Sequence, residues 1–276
     1  MLTLGWFSTG RGEGSRGLLR FVQERILRGQ LEAEIQFVFS NREPGETEGS
    51  DEFFRLVQGY EIPLVTFSSS HFRRAKGGHF AHHREEYDQE VMRLLRDYHP
   101  AVGVLAGYML IVSGAMCQRY PLLNLHPALP DGPTGTWQDV IWSLIAERAP
   151  HTGAMVHLAT EDVDRGPVVS HCTVPITGPL FDPYWQAVTQ LNLALIKASQ
   201  GEDFALFQLI RQAEFRREPY LLFTTLQAIA AGEIAIRDGQ ALDPQGHTLT
   251  SVAPKGLCLD QAIDRAMAEE EQSGRA

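Results

Sequence analysis

The sequence is poor in lysine: Lys76, Lys197 and Lys255 are the only three among 24 basic residues. Acids outnumber bases by 34 to 24, giving a formal charge of −10. That balance argues against a general nucleic-acid coat and leaves open only a local basic patch, so no nucleic-acid partner is expected. Cysteine is scarce as well. Cys117, Cys172 and Cys258 are odd in number and far apart, which excludes a disulfide framework and a CxxC metal site and suits a reducing interior. No apolar run approaches the roughly 18 residues of a membrane span. Met1-Leu2-Thr3-Leu4-Gly5-Trp6 lacks the basic flank and apolar stretch of a signal peptide and reads as a first strand. A cytoplasmic protein without a membrane partner is the resulting expectation. With 43% hydrophobic and 21% charged residues the chain is not disordered, and its 276 residues give room for one large domain or a typical domain with an appendage.

Periodicity then divides the chain. Branched and aromatic runs predict strands at 2–8, 33–40, 62–67, 102–106, 122–125, 154–159 and 168–175. Helical spacing is seen at 18–28, 51–58, 85–98, 113–119 and 137–148, then through most of 183–231 and again at 259–271. Residues 233–242 read as a hairpin turning at Asp238-Gly239. The segment 68–83, polar and with four histidines, reads as an exposed loop, and 273–276 as a frayed end. There is no internal repeat. Strand and helix alternate through the first 150 residues. This predicts an α/β fold: a Rossmann-like, mostly parallel sheet with helices on both faces, followed by a C-terminal helical and hairpin extension. The expected domains are 1–180, carrying the chemistry, and 181–276, packed on it.

Gly12-x-Gly14-x-x-Gly17 lies between the first strand and the first helix, the setting of a dinucleotide fingerprint. Glycine lets backbone approach a phosphate, and the helix start favours an anion. The second strand, however, ends in Ser40-Asn41-Arg42 with no acid for a ribose. The nicotinamide reading is thereby weakened. A phosphate-bearing ligand and a plain tight turn both remain.

Asn124-Leu125-His126-Pro127 closes a predicted strand, and on a strand Asn124 and His126 point to the same side. An amide donor beside an imidazole suits acyl transfer, since one stabilises an oxyanion and the other moves a proton. A purely structural pair is the competing interpretation. Downstream, an acidic loop carries Asp164, which could orient His126 or serve as a solvated turn residue.

Val104-Leu105-Ala106-Gly107-Tyr108-Met109, Leu123 to Pro127, and His157 to Pro167 with its Asp-x-Gly-Pro ending occur in that order. With Phe39-Ser40-Asn41-Arg42, they make the stretch from Leu2 to about Ile176 resemble the folate-dependent formyltransferases, most closely the branch acting on glycinamide ribonucleotide. The resemblance implies attack by a small-molecule amine, phosphate-bearing in that branch, on the formyl carbon of 10-formyltetrahydrofolate, with no metal. Asn124 would hold the oxyanion, His126 would shuttle the proton, and Asp164 would position His126 and a water. By the same resemblance Gly14, Ser15, Arg16 and Met109 would bind the acceptor. Leu105, Leu110, Ile111, Val112, Ala159, Glu161, Asp162 and Val163 would bind the folate. Another amine, such as an amino sugar, or a non-catalytic relative binding folate or phosphate, are the alternatives.

The chain also departs from the family. Its glycine loop is about two residues longer, and Glu13 puts a negative charge beside the expected phosphate. Leu110 stands where the family commonly has arginine, and Thr189-Gln190-Leu191-Asn192 lacks the expected ribose-holding glutamate. The tRNA-specific relatives carry a C-terminal RNA-binding barrel, which 183–276 does not resemble. His79 and His83 would share a helix face and could hold zinc, or the loop could close over the site. Cys117 reads as buried or reactive, Trp137 and Trp142 as core. The apolar stretch 206–223 suits packing on the domain or a homodimer surface.

Overall fold

A computed structural model describes residues 1–189, 192–251 and 255–273. The expected frayed end beyond Ser273 and the Gln190-Leu191 pair therefore fall outside the described residues. The β-strands, in chain order, are β1 (Leu2–Ser8), β2 (Ala33–Ser40), β3 (Leu64–Thr66), β4 (Val102–Leu105), β5 (Leu122–His126), β6 (His151–Leu158), β7 (Val168–Pro175), β8 (Ala235–Arg237), β9 (Gln240–Leu242) and β10 (Leu257–Cys258). The α-helices are α1 (Glu13–Leu27), α2 (Glu48–Gly59), α3 (Ser69–Lys76), α4 (Arg84–Leu94), α5 (Gly114–Arg119), α6 (Trp137–Glu147), α7 (Asp182–Val188), α8 (Leu193–Ser199), α9 (Ala205–Ala230) and α10 (Asp260–Ser273). Eight strands form a sheet ordered β10-β7-β6-β5-β4-β1-β2-β3, and β8 pairs with β9. The α/β architecture expected from the alternation is what forms. Among the described residues no helix is long and apolar enough to cross a membrane.

The chain divides into two compact units. The first comprises Met1–Asn124, His157–Pro167 and Leu226–Thr248. In it β5, β4, β1, β2 and β3 run parallel, with Phe7, Trp6 and Gly5 of β1 facing Leu105, Val104 and Gly103 of β4. Phe7, Phe37, Phe39, Tyr87, Leu105 and Tyr108 centre its core, and the Phe7 and Phe37 rings meet edge to face at 5.5 Å. Such pairs add about 1 kcal/mol beyond the area they bury.

The second unit comprises Leu125–Val156, Val168–Thr225 and Leu249–Ala276. Thr136 caps α6 by accepting the Asp139 amide, and Arg148 ends it in the left-handed region. The buried face of α6 packs Ile141, Trp142 and Ile145 against Leu206, Phe207 and Ile210 of α9. Trp142 stacks on Phe204 at 6.0 Å and is a core residue, as its spacing implied, whereas Trp137 lies half-buried against Phe207 at the edge of this cluster.

The segment 68–83 is not the loop expected. Ser68 accepts the His71 amide at 3.0 Å and starts α3, and a short 3₁₀ turn follows at Phe80–His83. Phe72 and Phe80 anchor these turns on Tyr87, at 5.4 and 5.2 Å between rings. Two aromatics spaced among many polar residues are a weak periodic signal, and tertiary packing supplies what propensity lacks.

Candidate functional site

Asn124 lies near the end of β5, where Leu105 of β4 is its register partner. β6 brings His157 to it, and the loop after β6 brings Asp164. The Asn124 Nδ2 lies 3.1 Å from His157 Nε2 and 3.5 Å from Asp164 Oδ1. His157 Nδ1 lies 3.0 Å from the Leu158 carbonyl oxygen. A carbonyl only accepts, so Nδ1 carries a hydrogen, and in the tautomer with its one hydrogen there Nε2 accepts from the Asn124 amide; Asp164 Oδ1 lies 3.7 Å from the same Nε2. The amide is thus oriented with its NH₂ group toward His157 and Asp164. His157 was quoted in the sequence pattern without a role; a buried histidine beside a strand end gives no periodic signal for what it will orient.

Asp164 has φ +57°, in the left-handed region that aspartate tolerates better than most residues. The turn holding it is tight: Arg165 N–H donates to the Asp162 carbonyl at 3.3 Å, and a Cβ on Gly166 would overlap the Leu158 carbonyl. His126 is the last residue of β5 and is buried.

A cavity of about 690 Å³ lies in the same unit. It is bounded by Cys117 and Gln118 of α5, by Leu122, by residues 158–162, and by residues 236–239 at the β8–β9 turn. Ala159, Glu161 and Asp162, expected on the folate side, line it. Leu105 and Val112 instead belong to the aromatic core, with Leu110 packed against them. Ile111 and Val163 are exposed apolar residues, as is Met109 at 68% exposure. The hairpin was recognisable in the sequence, but its place at the cavity was not, since nothing local records a contact more than 70 residues away. Burial, together with the charges of Asp88 and Glu161, pushes the Cys117 thiol up to about 11. Asp88 was also missed. Its buried carboxylate accepts the Ser113 amide at 2.6 Å and so fixes the start of α5; burial raises its pKa.

The glycine loop differs from a fingerprint. Gly12 is the N-cap of α1 with φ −135°, which needs no glycine, and a Cβ on Gly12 or Gly17 would meet open space. In a dinucleotide fold the third glycine is required by close helix–strand packing. The position that does need glycine is Gly10, with φ +67° and the Phe53 ring 2.8 Å from a would-be Cβ. Gly14, Ser15 and Arg16 fall inside α1 rather than in a loop. Arg16 is already engaged. Its Nη2 donates to Glu13 Oε2 at 3.0 Å, and its Nη1 meets Glu52 Oε2 at 2.8 Å. The loop is braced from the segment after β4 too, by Met109 N–H donating to Thr9 Oγ1 at 2.9 Å.

Two of the four histidines of 68–83 are engaged elsewhere, and the rings of the other two, His79 and His82, meet at 6.0 Å. His71 Nδ1 lies 2.9 Å from Glu43, and His83 Nε2 lies 3.1 Å from the Gly77 carbonyl. Among the described residues no group of three or more His, Cys, Asp or Glu side chains is arranged to hold a metal ion.

The phosphoribosylglycinamide formyltransferase of Escherichia coli K12 is 37% identical over 97 residues, covering 34% of this chain and 44% of that protein. The chain thus matches less than half the length of the curated relatives of this kind from E. coli and Saccharomyces cerevisiae. Among solved structures, the phosphoribosylglycinamide formyltransferase of Coxiella burnetii superposes with a TM-score of 0.65 at 21% identity, over 93% of this chain and 98% of that one. A formyltetrahydrofolate deformylase from Pseudomonas syringae superposes with a TM-score of 0.59 at 18% identity, over 88% of this chain and 65% of that one. At these identities the structures establish the shared fold. The family model described as formyl transferase matches residues 13–180, and the chain belongs to the formyl transferase family.

Proposed function

We propose that this protein transfers a formyl group from a 10-formyltetrahydrofolate donor to a primary amine, with glycinamide ribonucleotide the first acceptor to test. The observation that carries the reading is the oriented Asn124 amide, set between His157 and Asp164 at 3.1 and 3.5 Å. Acyl transfer needs an N–H donor where negative charge develops on the formyl oxygen, the role the family resemblance gives this amide. The cavity has apolar walls at Leu122, Leu158 and Ala159 and acceptors at Glu161 and Asp162. This lining fits a flat heterocycle rich in N–H donors. The donor, when bound, supplies an electrophilic formyl carbon. Asn124 stabilises the oxygen of that group. His126, two residues along β5, takes the proton from the amine, the role the family resemblance gives it. The same resemblance gives Asp164 the positioning of a water.

A second reading concerns the acceptor. The Arg16 guanidinium is engaged by Glu13 and Glu52, and this favours an amine whose recognition does not rest on a phosphate at α1. The test is a formyl-transfer assay with a chromogenic 10-formyl folate analogue, offering glycinamide ribonucleotide, an amino-sugar nucleotide, or water alone. Turnover in one arm assigns the acceptor. Asn124→Ala is expected to lower kcat by about 10²–10³-fold with little change in donor affinity. Turnover in the variant within threefold of wild type would refute the assignment of Asn124.

A further inference from the structure

We propose that a cavity between α6 and α8 binds a free amino acid with an apolar side chain, its ammonium facing Asp139 and its carboxylate facing Lys197. The cavity, of about 350 Å³, is lined by residues of the second compact unit alone. None of the residues in the formyl-transfer reading lines it. It sits at the lower end of the roughly 300–1,000 Å³ typical of small-molecule sites, so its ligand is small.

Helical spacing builds the walls. Asp139, Trp142 and Ala146 fall at positions i, i+3 and i+7 of α6 and share one face, and Leu193, Ala194 and Lys197 line the cavity from α8. Trp142 is held in place by stacking on Phe204, at 6.0 Å and 11° between the rings. Leu193 packs on the same apolar cluster. Ala146 and Ala194 end at Cβ, which leaves the space open. Ser143, the remaining lining residue, donates its hydroxyl to Glu147 Oε1 at 3.0 Å. The floor of the cavity is therefore apolar.

Charge then selects the ligand. Asp139 and Lys197 are the charged residues of the lining, one of each sign, and both are exposed. Asp139 Oδ2 accepts the Thr136 hydroxyl at 2.7 Å, which fixes the carboxylate. That bond is the main cause that lowers the Asp139 pKa, and the Lys197 charge lowers it further. Lys197 Nζ lies 5.8 Å from the centre of the Trp142 ring. An apolar floor beneath one anion and one cation is complementary to a zwitterion. The ammonium and carboxylate of an amino acid leave one carbon in different directions, and the side chain on that carbon covers Trp142 and the two alanines. A dianion would instead be repelled by Asp139, and a dication by Lys197. The pairs form at the surface and are screened, so each is worth about three- to fivefold in affinity at low salt.

The test follows the Trp142 indole N–H resonance of the full chain, assigned with Trp142→Phe, during titration with L-phenylalanine, N-acetyl-L-phenylalanine and phenethylamine. The second compound lacks the ammonium and the third lacks the carboxylate. Phenylalanine is expected to bind with a Kd of about 1 mM, as ordinary ligand efficiency gives for a molecule of its size. It should bind about three- to fivefold more tightly than either analogue. Lys197→Ala should weaken phenylalanine by about the same factor and leave phenethylamine unchanged. Asp139→Asn, which keeps an acceptor for Thr136, should weaken phenylalanine and leave the N-acetyl compound unchanged. Equal binding of all three ligands would mean that the cavity reads only an apolar ring. Weakening of phenethylamine by Lys197→Ala would mean that the lysine only supports the wall. No shift with any ligand at about 20 mM would mean that the cavity takes no amino acid. Each of these three outcomes overturns the proposal, and none bears on the formyl-transfer reading.

Discussion

Glu214 on α9 offers a sharp test of the physical account of the second unit. Its carboxyl is buried at 1% exposure, and its Oε1 accepts the Thr152 hydroxyl at 2.5 Å. Its Oε2 makes no hydrogen bond among the described residues, and the Arg211 guanidinium lies 3.8 Å away, itself bonded to Glu218. Burial is the main cause that pushes the pKa of Glu214 from 4.5 up to about 8, with the Glu218 charge adding to it. Between those values the native state keeps a proton that the unfolded chain has released. The unfolded state binds fewer protons there, so stability must fall as pH rises from about 4.5 to about 8 and level off above. At 1.36 kcal/mol per pH unit the ceiling of the loss is about 5 kcal/mol, and local relaxation lowers it to about 3–5 kcal/mol. Glu214→Gln keeps an acceptor for Thr152 and removes the titration. The variant should match the wild type near pH 5 and exceed it by about 10 °C in Tm at pH 8.5. Tryptophan fluorescence suits the measurement, because Trp137, Trp142 and Trp185 lie in this unit and only Trp6 in the other. A difference between variant and wild type that stays constant from pH 5 to 8.5 would refute the reasoning.

Further consequences follow from the glycine loop and the cavity. Gly10→Ala should cost about 2–4 kcal/mol, from the left-handed backbone and the Phe53 contact. Gly17→Ala, inside α1 and facing open space, should stabilise by about 0.5–1 kcal/mol. Thermal unfolding of the two variants separates them, and a destabilised Gly17→Ala would restore the dinucleotide-like reading. Cys117, with its thiol near 11, should alkylate roughly a hundredfold more slowly at pH 7.4 than an ordinary cysteine, and its rate should climb up to about pH 11. A bound folate analogue should protect it, since Cys117 lines the cavity; peptide mapping after iodoacetamide treatment checks both, and a rate that levels off near pH 8.5 would contradict the first.

Where apolar periodicity was strong, local sequence was sufficient. β2 at Ala33–Ser40 and β7 at Val168–Pro175 form where their branched and aromatic runs lie. The Asp238-Gly239 pair announces the β8–β9 turn, because few other residues accept positive φ at both positions. α3 escaped notice because a cap at Ser68 and two aromatic anchors on Tyr87, rather than an amphipathic stripe, hold it. The spacing of Asn124 and His126 was visible as chemistry because a strand sends alternate side chains to one side.

Linear order thus determined the alternation of strand and helix, the parallel sheet that follows from it, and the presence of residue types suited to acyl transfer. These are consequences of periodicity and of side-chain chemistry, and both are local. Tertiary structure alone decided the rest. It set His157 against Asn124 and so oriented the amide, a contact across 33 residues. It tied Arg16 to Glu13 and Glu52, and it made Gly10 rather than Gly12 or Gly17 the glycine the loop requires. It also brought the turn at Asp238-Gly239 to the cavity lined by Glu161 and Asp162. Each of these depends on chain segments meeting that are distant in sequence, and such a meeting is fixed by packing of the whole unit and leaves no periodic trace in either segment.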